Sequence, residues 1–597
     1  LRYGTQTGFE SMGITARVFD RQIAVAMGPQ LATAPDTLLA AQLDFEAAVS
    51  DVLSWRGINY PLPAEGVTAV TVGINVASEV AVDIESDLEG VAVDLPLPWG
   101  KPAEARAPLK VSWRDREWAA WEMFWFGRAS AIIDTPEAGS ISAILDLTPR
   151  TRPLQWPLLA PDPGLRVTGF LPSLDPSDWQ DTLAPFSAEA TPFGPTVKVD
   201  ALKIGRLLWR GDELGALSLN ANLEGETLYA GFELPWLRGQ IQQFTSAPVS
   251  DSAAALQASL ERELRIEYLD LQGLPQVSEQ WAERAAPPDA EGALGAWMRQ
   301  LHVSVEGIHR ADTELGDLDL TIDYVAGEGW QFREVTGNFL GINWLPKTRM
   351  VWQSGEEGES TTLSLAAELR DIATSLALIG VAPLVETERG RLDADWQWPG
   401  SPADFELTAM SGDMALEMEA GSFVAANAEA TGALRLLSLL NLSGLFRRAN
   451  MNQLFDPGVT FDSAGGSFSF SQGDLRIRDF SIEGSGGYFT FSSDIDLVTE
   501  TLDGELVVTL PLVENIPWVA ALAGGLPVAA GTYLISKVFE DQVNQLSSGV
   551  YAVSGDLDNP EVAFERVFDA TSRLPEVDDQ AVEDQSPTDA AASSSDR

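Results

Sequence analysis

The sequence predicts a mainly β protein, and three observations support this prediction. Apolar and polar residues alternate in many short stretches, such as GELVVTLP, which contains Leu506, Val508 and Leu510. This period of two is typical of strands with one apolar and one solvated face. Turn-forming residues separate the stretches, as at Gln472-Gly473-Asp474 and Asp558-Asn559-Pro560. Segments with helical character are few.

The apolar members of neighbouring stretches form a candidate lining for one face of the sheet. Such a face must be covered, either by an opposing sheet in a sandwich or closed barrel, or by a ligand in an open trough. The alternation leaves these arrangements open. The candidate lining residues are Phe468, Phe470, Phe489, Phe491, Leu506, Val508 and Leu510.

Three segments have the composition or the spacing of helices. SAAALQASLERELR (Ser252–Arg265) consists largely of good helix formers, and Gly292–Leu301 is a shorter candidate. In Leu434–Arg448, leucines recur near helical spacing and Arg447-Arg448 fall in the last turn, where cations suit the helix dipole. We therefore expect a few short helices beside the strands.

A run without charge, NIPWVAALAGGLPVAAGTYLIS (Asn515–Ser536), has the length of a membrane span. Gly524, Gly525 and Pro527 interrupt it, which favours a re-entrant hairpin or two short interfacial helices over one straight helix. Docking against the end of the sheet is the alternative. The candidate membrane-contact residues are Trp518, Val519, Leu522, Leu526, Val528, Leu534 and Ile535.

Composition excludes several classes of function. The net charge is −50, from 88 acidic and 38 basic residues, which argues against nucleic acid as a partner. Cysteine is absent, so neither a disulfide nor a thiolate metal site is possible. Residues 569–597 are acidic and rich in Ser and Ala, as in a disordered tail. Because the chain starts at Leu1 in patterned sequence, we expect it to be a fragment that lacks an N-terminal part.

No arrangement of residues indicates an enzyme. His302 and His309 are the only histidines, and their odd spacing predicts opposite faces of one strand. Carboxylates recur at a spacing of two, as in Asp317/Asp319, which places them side by side rather than across a cleft. We expect no catalytic residue, no metal site and no cofactor.

The order of motifs resembles the YhdP family, within the AsmA-like group of Gram-negative envelope proteins. The residues that carry this resemblance are LRLLSLLNLSGLFRR (Leu434–Arg448), LFDPGVTFD (Leu454–Asp462) and SGDLDNPEV (Ser554–Val562), with weaker similarity upstream to SDLEGVAVDLPLPWGKPA (Ser86–Ala103). The resemblance implies an elongated, curled antiparallel β-groove, an architecture of bridge-like lipid transfer. It also implies passive transport of phospholipid between the inner and outer membranes.

The resemblance further implies a periplasmic protein anchored in the inner membrane, with its C-terminal end towards the outer membrane and with unknown envelope partners. An outer-membrane β-barrel and a surface adhesin-like β protein are the alternatives. The expected regions are a central β-groove region at 1–290, a C-terminal AsmA-like β-groove region at 291–512 with a short helix at 434–448, a hydrophobic helical membrane-contacting segment at 513–548, a final strand at 549–568 and a disordered acidic tail at 569–597.

Overall fold

Strands dominate the computed structural model, in which each strand pairs its backbone N–H and C=O groups with neighbouring strands. The described part of the chain contains 31 strands and two short α-helices, which confirms the predicted mainly β fold. The structure describes residues 2–4, 8–19, 21–28, 31–32, 37–56, 63–77, 79–115, 119–134, 142–154, 163–179, 196–246, 259–275, 298–326, 328–355, 358–370, 372–378, 385–423, 459–484, 487–510, 547–557 and 560–568.

The chain divides into two compact units. Unit 1 comprises Leu1–Arg370 and Leu392–Glu406, and unit 2 comprises Asp371–Arg391 and Leu407–Arg597. The expected region boundary at 290/291 lies outside the described residues. The helices are α1 (Val49–Arg56) in unit 1 and α2 (Ile372–Leu378) in unit 2, with 3₁₀ turns at Pro176–Trp179 and Pro402–Asp404.

Unit 1 contains the first 23 strands. They are β1 (Arg2–Gly4), β2 (Gly8–Val18), β3 (Arg21–Met27), β4 (Leu39–Ala48), β5 (Ala64–Val76), β6 (Val80–Ser86), β7 (Val91–Val93), β8 (Leu109–Asp115), β9 (Ala119–Trp125), β10 (Ala129–Asp134), β11 (Ser142–Asp146), β12 (Gly164–Leu171), β13 (Thr196–Trp209), β14 (Asp212–Glu224), β15 (Thr227–Leu234), β16 (Leu237–Ser246), β17 (Ser259–Asp270), β18 (Leu301–Arg310), β19 (Thr313–Val325), β20 (Gly329–Phe339), β21 (Ile342–Trp344), β22 (Arg349–Gly355) and β23 (Gly358–Leu369).

Pairing in unit 1 mostly follows chain order. The ladder runs β1 to β6, then β8 to β20, then β22 and β23, while β7 pairs with β5 and β21 bridges β20 and β23. Most pairs are antiparallel. The parallel pairs in this described ladder are β11–β12, β12–β13 and β17–β18.

Unit 2 contains an antiparallel ladder in which each strand pairs with the next along the chain. The strand β24 (Val385–Pro399) has residues in both units. The ladder strands are β25 (Ser411–Phe423), β26 (Val459–Ser471), β27 (Asp474–Gly484), β28 (Gly487–Asp496), β29 (Thr501–Leu510), β30 (Ser547–Asp556) and β31 (Glu561–Phe568).

Two-residue turns with positive φ at both positions join some of the hairpins. Gln472 (φ 47°) and Gly473 (φ 100°) connect β26 to β27, where the sequence predicts a turn. Arg210 (φ 53°) and Gly211 (φ 89°) connect β13 to β14 in the same way. This geometry matches the right-handed twist of the flanking strands, and glycine adopts it without steric cost.

Two predictions of secondary structure are wrong. Ser259–Arg265, the described part of the helix expected at 252–265, belongs to β17, because pairing with β16 and β18 outweighs helix propensity. The single final strand expected at 549–568 falls in two paired strands, β30 and β31. Leu301, at the end of the second helix candidate, begins β18.

Several expectations fall outside the described residues: the helix at 434–448, nearly all of the segment at 513–548, and the tail at 569–597. Among the described residues, no helix combines the length and the apolar character needed to cross a membrane.

Candidate functional site

Six of the seven candidate lining residues lie together on one face of unit 2, the C-terminal apolar face. Across the ladder Phe489 is opposite Val508 and Phe491 is opposite Leu506, while Phe468 and Phe470 project from β26 opposite the apolar Ile477 and Leu475. The backbone of Leu510 pairs with β30, but its side chain lies outside the described residues. The alternation therefore brings these side chains onto a shared face.

The opposite face of the same strands is charged and solvated. Arg476 donates to Asp494 (2.6 Å), and Arg566 donates to Glu505 (2.7 Å), with all four side chains well exposed. Exposed ion pairs of this kind contribute little to stability. These ion pairs lie on the solvent-facing side of the ladder, whereas the apolar side chains on the other side are buried.

Protein atoms already cover the C-terminal apolar face. Phe491, Leu506 and Val508 are each 0% exposed. Phe468 packs against Phe480 with ring centroids 6.0 Å apart. In this conformation the face is a packed core, so an acyl chain could reach it only if the covering groups moved away.

Tyr551 places a buried hydroxyl group on this face. It lies opposite Leu506 and packs edge-on against Phe564, with centroids 5.4 Å apart. Its buried Oη has no hydrogen-bond partner among the described residues, and burial raises its pKa to about 12. An unsatisfied buried hydroxyl is a cost to stability.

A second apolar surface, the central apolar face, lies on β14–β17 in unit 1. Pairing aligns the apolar residues in rows: Ala221 with Ala230, Ala230 with Ile241, and Ile241 with Leu264. The predicted lining omits these residues, although LSLNANLE (Leu217–Glu224) shows the same alternation. The face comprises Leu217, Leu219, Ala221, Leu223, Leu228, Ala230, Phe232, Leu234, Leu237, Ile241, Leu264, Ile266 and Leu269.

The two apolar faces differ in how completely protein covers them. Along β28, buried residues alternate with exposed or partly exposed ones. Along β14 and β15, no side chain is buried, and the apolar members are partly exposed. Partial exposure of a contiguous row of Leu, Ile and Phe leaves apolar surface in contact with water, which is unfavourable without a ligand.

The dimensions of the central apolar face suit hydrocarbon chains. From Leu217 to Leu223 the strand rises roughly 20 Å, while one leaflet contributes roughly 15 Å of the hydrocarbon core of a bilayer. Leu264 pairs with Val303 across the parallel β17–β18 junction, so the apolar row continues onto β18, where Val303 is buried. An acyl chain could therefore lie along the strands on apolar contacts alone.

A well-packed cluster supports one end of this face. Leu171, Leu202 and Ile204 are buried there, and Leu217 and Leu219 of the central apolar face pack against them. Asp175 secures the adjacent β13–β14 turn by accepting hydrogen bonds from the backbone N–H groups of Arg210 and Gly211 (3.2 and 2.8 Å). After the opposing effect of burial, these bonds and those from Ser177 lower the pKa of Asp175.

Both histidines lie on the polar face of β18, so the prediction that they occupy opposite faces is wrong. A bulge between Val305 and Ile308 shifts the register. His302 lies 3.3 Å from Asp319, and His309 stacks on Tyr268 at 4.9 Å. Within the described ranges, no three His, Asp or Glu side chains are arranged to hold a metal ion.

The fold and these faces define a class of mainly β proteins whose sheets carry an apolar surface on one side and charge on the other. The YhdP protein family model matches residues 5–562, and the chain belongs to this family. Its resemblance to that family, inferred from the motifs, is thereby confirmed.

A curated relative gives a second comparison. The chain is 24% identical over 213 residues to the intermembrane phospholipid transporter YhdP of Escherichia coli (strain K12). That alignment covers 35% of this chain and 17% of the relative, so the chain spans only a small part of the matched protein. No solved structure matches the chain.

Proposed function

We propose that this chain forms part of an intermembrane phospholipid transporter, in which phospholipid moves passively along apolar surface between the inner and outer membranes of a Gram-negative envelope. Family membership and the function named for the E. coli relative support lipid as the cargo. The observation that carries the proposal is the partly exposed central apolar face of β14–β17.

The proposed mechanism needs binding and release but no chemical step. Apolar contacts hold acyl chains without direction, and neighbouring rows of side chains offer nearly equivalent positions. A lipid can therefore shift from row to row without crossing a high barrier. The headgroup would remain in water at the edge of the sheet, because burying a phosphate without a partner is costly.

We also propose the cellular setting that the family resemblance implies. The chain would lie in the periplasm, associated with the inner membrane and with its C-terminal end towards the outer membrane. The uncharged segment at 515–536 would contact the membrane through the candidate residues named above. The C-terminal apolar face would receive lipid only in an opened conformation.

A pair of photo-crosslinkers on one strand tests the proposal. Ile241 belongs to the central apolar face, and the adjacent Gln242 points to the opposite face. In cells, we expect a crosslinker at Ile241 to capture phospholipid and one at Gln242 to capture little. Equal capture at the two positions, or none at Ile241, would contradict transport along this face.

A further inference from the structure

One arginine lies on the apolar side of β17. Arg262, Leu264 and Ile266 project to the same face because they alternate along the strand, while Glu261, Glu263 and Arg265 project to the other. Arg262 is partly buried and pairs with Leu301 of β18 across the parallel junction. It therefore places a guanidinium group beside the central apolar face, near the end where β17 begins.

Two described neighbours hold this guanidinium in place through uncharged acceptors. Its Nε donates to Oε1 of Gln243 (3.1 Å), and its Nη1 donates to the backbone carbonyl of Arg299 (2.9 Å). Gln243 is itself oriented by a bond from its Nε2 to the carbonyl of Glu226 (3.0 Å). The Nη2 group makes no hydrogen bond to a described residue, so the described residues use only part of the planar donor fork.

A second cation belongs to Arg299, whose backbone carbonyl accepts the bond from Arg262. The guanidinium of Arg299 sits over the ring of Tyr324, 5.6 Å from its centroid. Tyr324 in turn packs against Trp330, which is 1% exposed. The guanidinium of Arg262 and the Arg299–Tyr324 pair thus lie at the same end of the apolar face, where a headgroup could sit above its acyl chains.

Arg262 differs from the arginines on the polar face of the same region. Three of those are matched by a carboxylate, whereas Arg262 forms no ion pair with a carboxylate of the described residues. In a chain with net charge −50, a cation without such a partner on an apolar surface favours an anionic ligand. The matched pairs are Arg206–Glu213, Arg238–Glu267 and Arg265–Glu306.

We propose that Arg262 binds the phosphate of a phospholipid whose acyl chains lie on the central apolar face. This inference rests on the proposed function and adds a place where the headgroup is recognised. Fork-like contact between a guanidinium and phosphate oxygens is a strong, charge-assisted interaction. The phosphate would use the donors of Arg262 that point away from Gln243.

Binding of two lipids to the full chain tests the proposal without any mutation. Phosphatidylglycerol and a diacylglycerol with identical acyl chains would each displace a fluorescent acyl probe, with glycerol phosphate as a headgroup-only competitor. We expect phosphatidylglycerol to bind at least about tenfold more tightly than diacylglycerol. Glycerol phosphate should not displace the probe at the same concentrations.

Substitutions on the two faces of β17 locate the effect. Arg262→Gln should bring the affinity for phosphatidylglycerol close to that for diacylglycerol. Arg262→Lys, which keeps the charge but loses the planar fork, should retain part of the preference. Arg265→Gln is the matched control on the polar face of the same strand and should keep the full preference.

The outcomes separate the two proposals. If neither lipid displaces the fluorescent probe, the proposed function is overturned. Equal displacement by both lipids in the parent chain, or an unchanged preference in a folded Arg262→Gln, would overturn the headgroup site alone. Displacement of the probe by glycerol phosphate would also overturn it, because the ligand would then be a free phosphate. If Arg262→Gln fails to fold, the comparison in the parent chain and the reduced preference in Arg262→Lys decide the matter.

Discussion

Phe491 and Leu506 face each other across the β28–β29 ladder, and neither side chain is accessible to solvent. Phe489 and Val508 form the neighbouring pair in the same ladder, and both are also buried. This packing makes the C-terminal apolar face a source of stability in the conformation seen here. The central apolar face, with its partly exposed rows, is better suited to hold lipid.

A charge within this core should strongly destabilise the ladder of unit 2. Leu506→Asp would place a carboxylate among apolar side chains without a partner, and we expect a loss of at least about 3 kcal/mol in the free energy of unfolding. Val507→Asp is the control, because Val507 is partly exposed on the opposite face and should cost about 1 kcal/mol. Urea unfolding measures both, and similar losses would show that the ladder is not one-sided.

Lipid capture should differ between the two apolar faces. A photo-crosslinker at Val508, which is fully enclosed, should yield at least about tenfold less lipid adduct than one at Ile241, because only a rare opening exposes it. Val507 provides the outward-facing comparison within β29. Capture at Val508 equal to that at Ile241 would mean that unit 2 opens as part of transport.

Lys101 should stabilise the backbone segments that surround its ammonium group. Its Nζ donates to the carbonyls of Leu88 (2.9 Å), Pro102 (3.1 Å) and Val91, and desolvation lowers its pKa. Lys101→Met keeps the length of the side chain but leaves buried carbonyls without a donor, so we expect a loss of about 2 kcal/mol or more.

The matched control for this prediction is Lys110→Met. Lys110 forms a solvent-exposed ion pair with Glu85 (2.7 Å), and its removal should cost less than about 1 kcal/mol. Chemical denaturation of both variants gives the comparison. An equally small loss for Lys101→Met would show that water replaces the ammonium group.

The raised pKa of Tyr551 predicts a loss of folding stability at high pH. The unfolded phenol releases its proton near pH 10, whereas the folded one keeps it until about pH 12. Between these values the unfolded state binds fewer protons, so stability falls as pH rises, by at most about 1.4 kcal/mol per pH unit from this group. Below pH 10 the group contributes no such dependence.

Tyr551→Phe should remove this component of the pH profile. It should also raise stability at neutral pH by about 1 kcal/mol, since Oη has no hydrogen-bond partner among the described residues. Thermal unfolding at several pH values measures both effects. A variant that is less stable at neutral pH would indicate that the hydroxyl does find a partner.

Membrane contact by the uncharged segment can be tested by flotation with liposomes. Each Asp placed in such a segment costs about 2.5–3.5 kcal/mol near the bilayer centre. We expect Ala521→Asp combined with Ala529→Asp to release the chain from liposomes while circular dichroism of the β-sheet stays unchanged. If the double variant floats as well as the parent, the segment does not insert.

The sequence predicts the fold well where one strand face is buried. Phe489 and Phe491 alternate with Tyr488, Thr490 and Ser492, and β28 shows this pattern directly. It predicts poorly where propensity and pairing disagree. The helix formers at 259–265 also alternate as a strand, with Leu264 and Ile266 on one side and Glu263 and Arg265 on the other, and β17 follows the alternation.

Two features of the candidate site could not be found from periodicity alone. The bulge before Ile308 moves His309 to the same face as His302, and nothing in the spacing of the histidines reveals an extra residue. Periodicity also identifies an apolar face without showing what covers it. For that reason Leu506 and Ile241 are indistinguishable in the sequence but differ in exposure in the structure.

The chain-ordered pairing of β25 to β31 has a consequence for how unit 2 assembles. Because each strand bonds to the one just before it in the chain, most contacts join nearby parts of the sequence, which favours rapid folding. A chain delivered from its N-terminal end could add one strand at a time to a growing edge. At each stage the newest strand would form an open edge, and the next strand synthesised would pair with it and cover it.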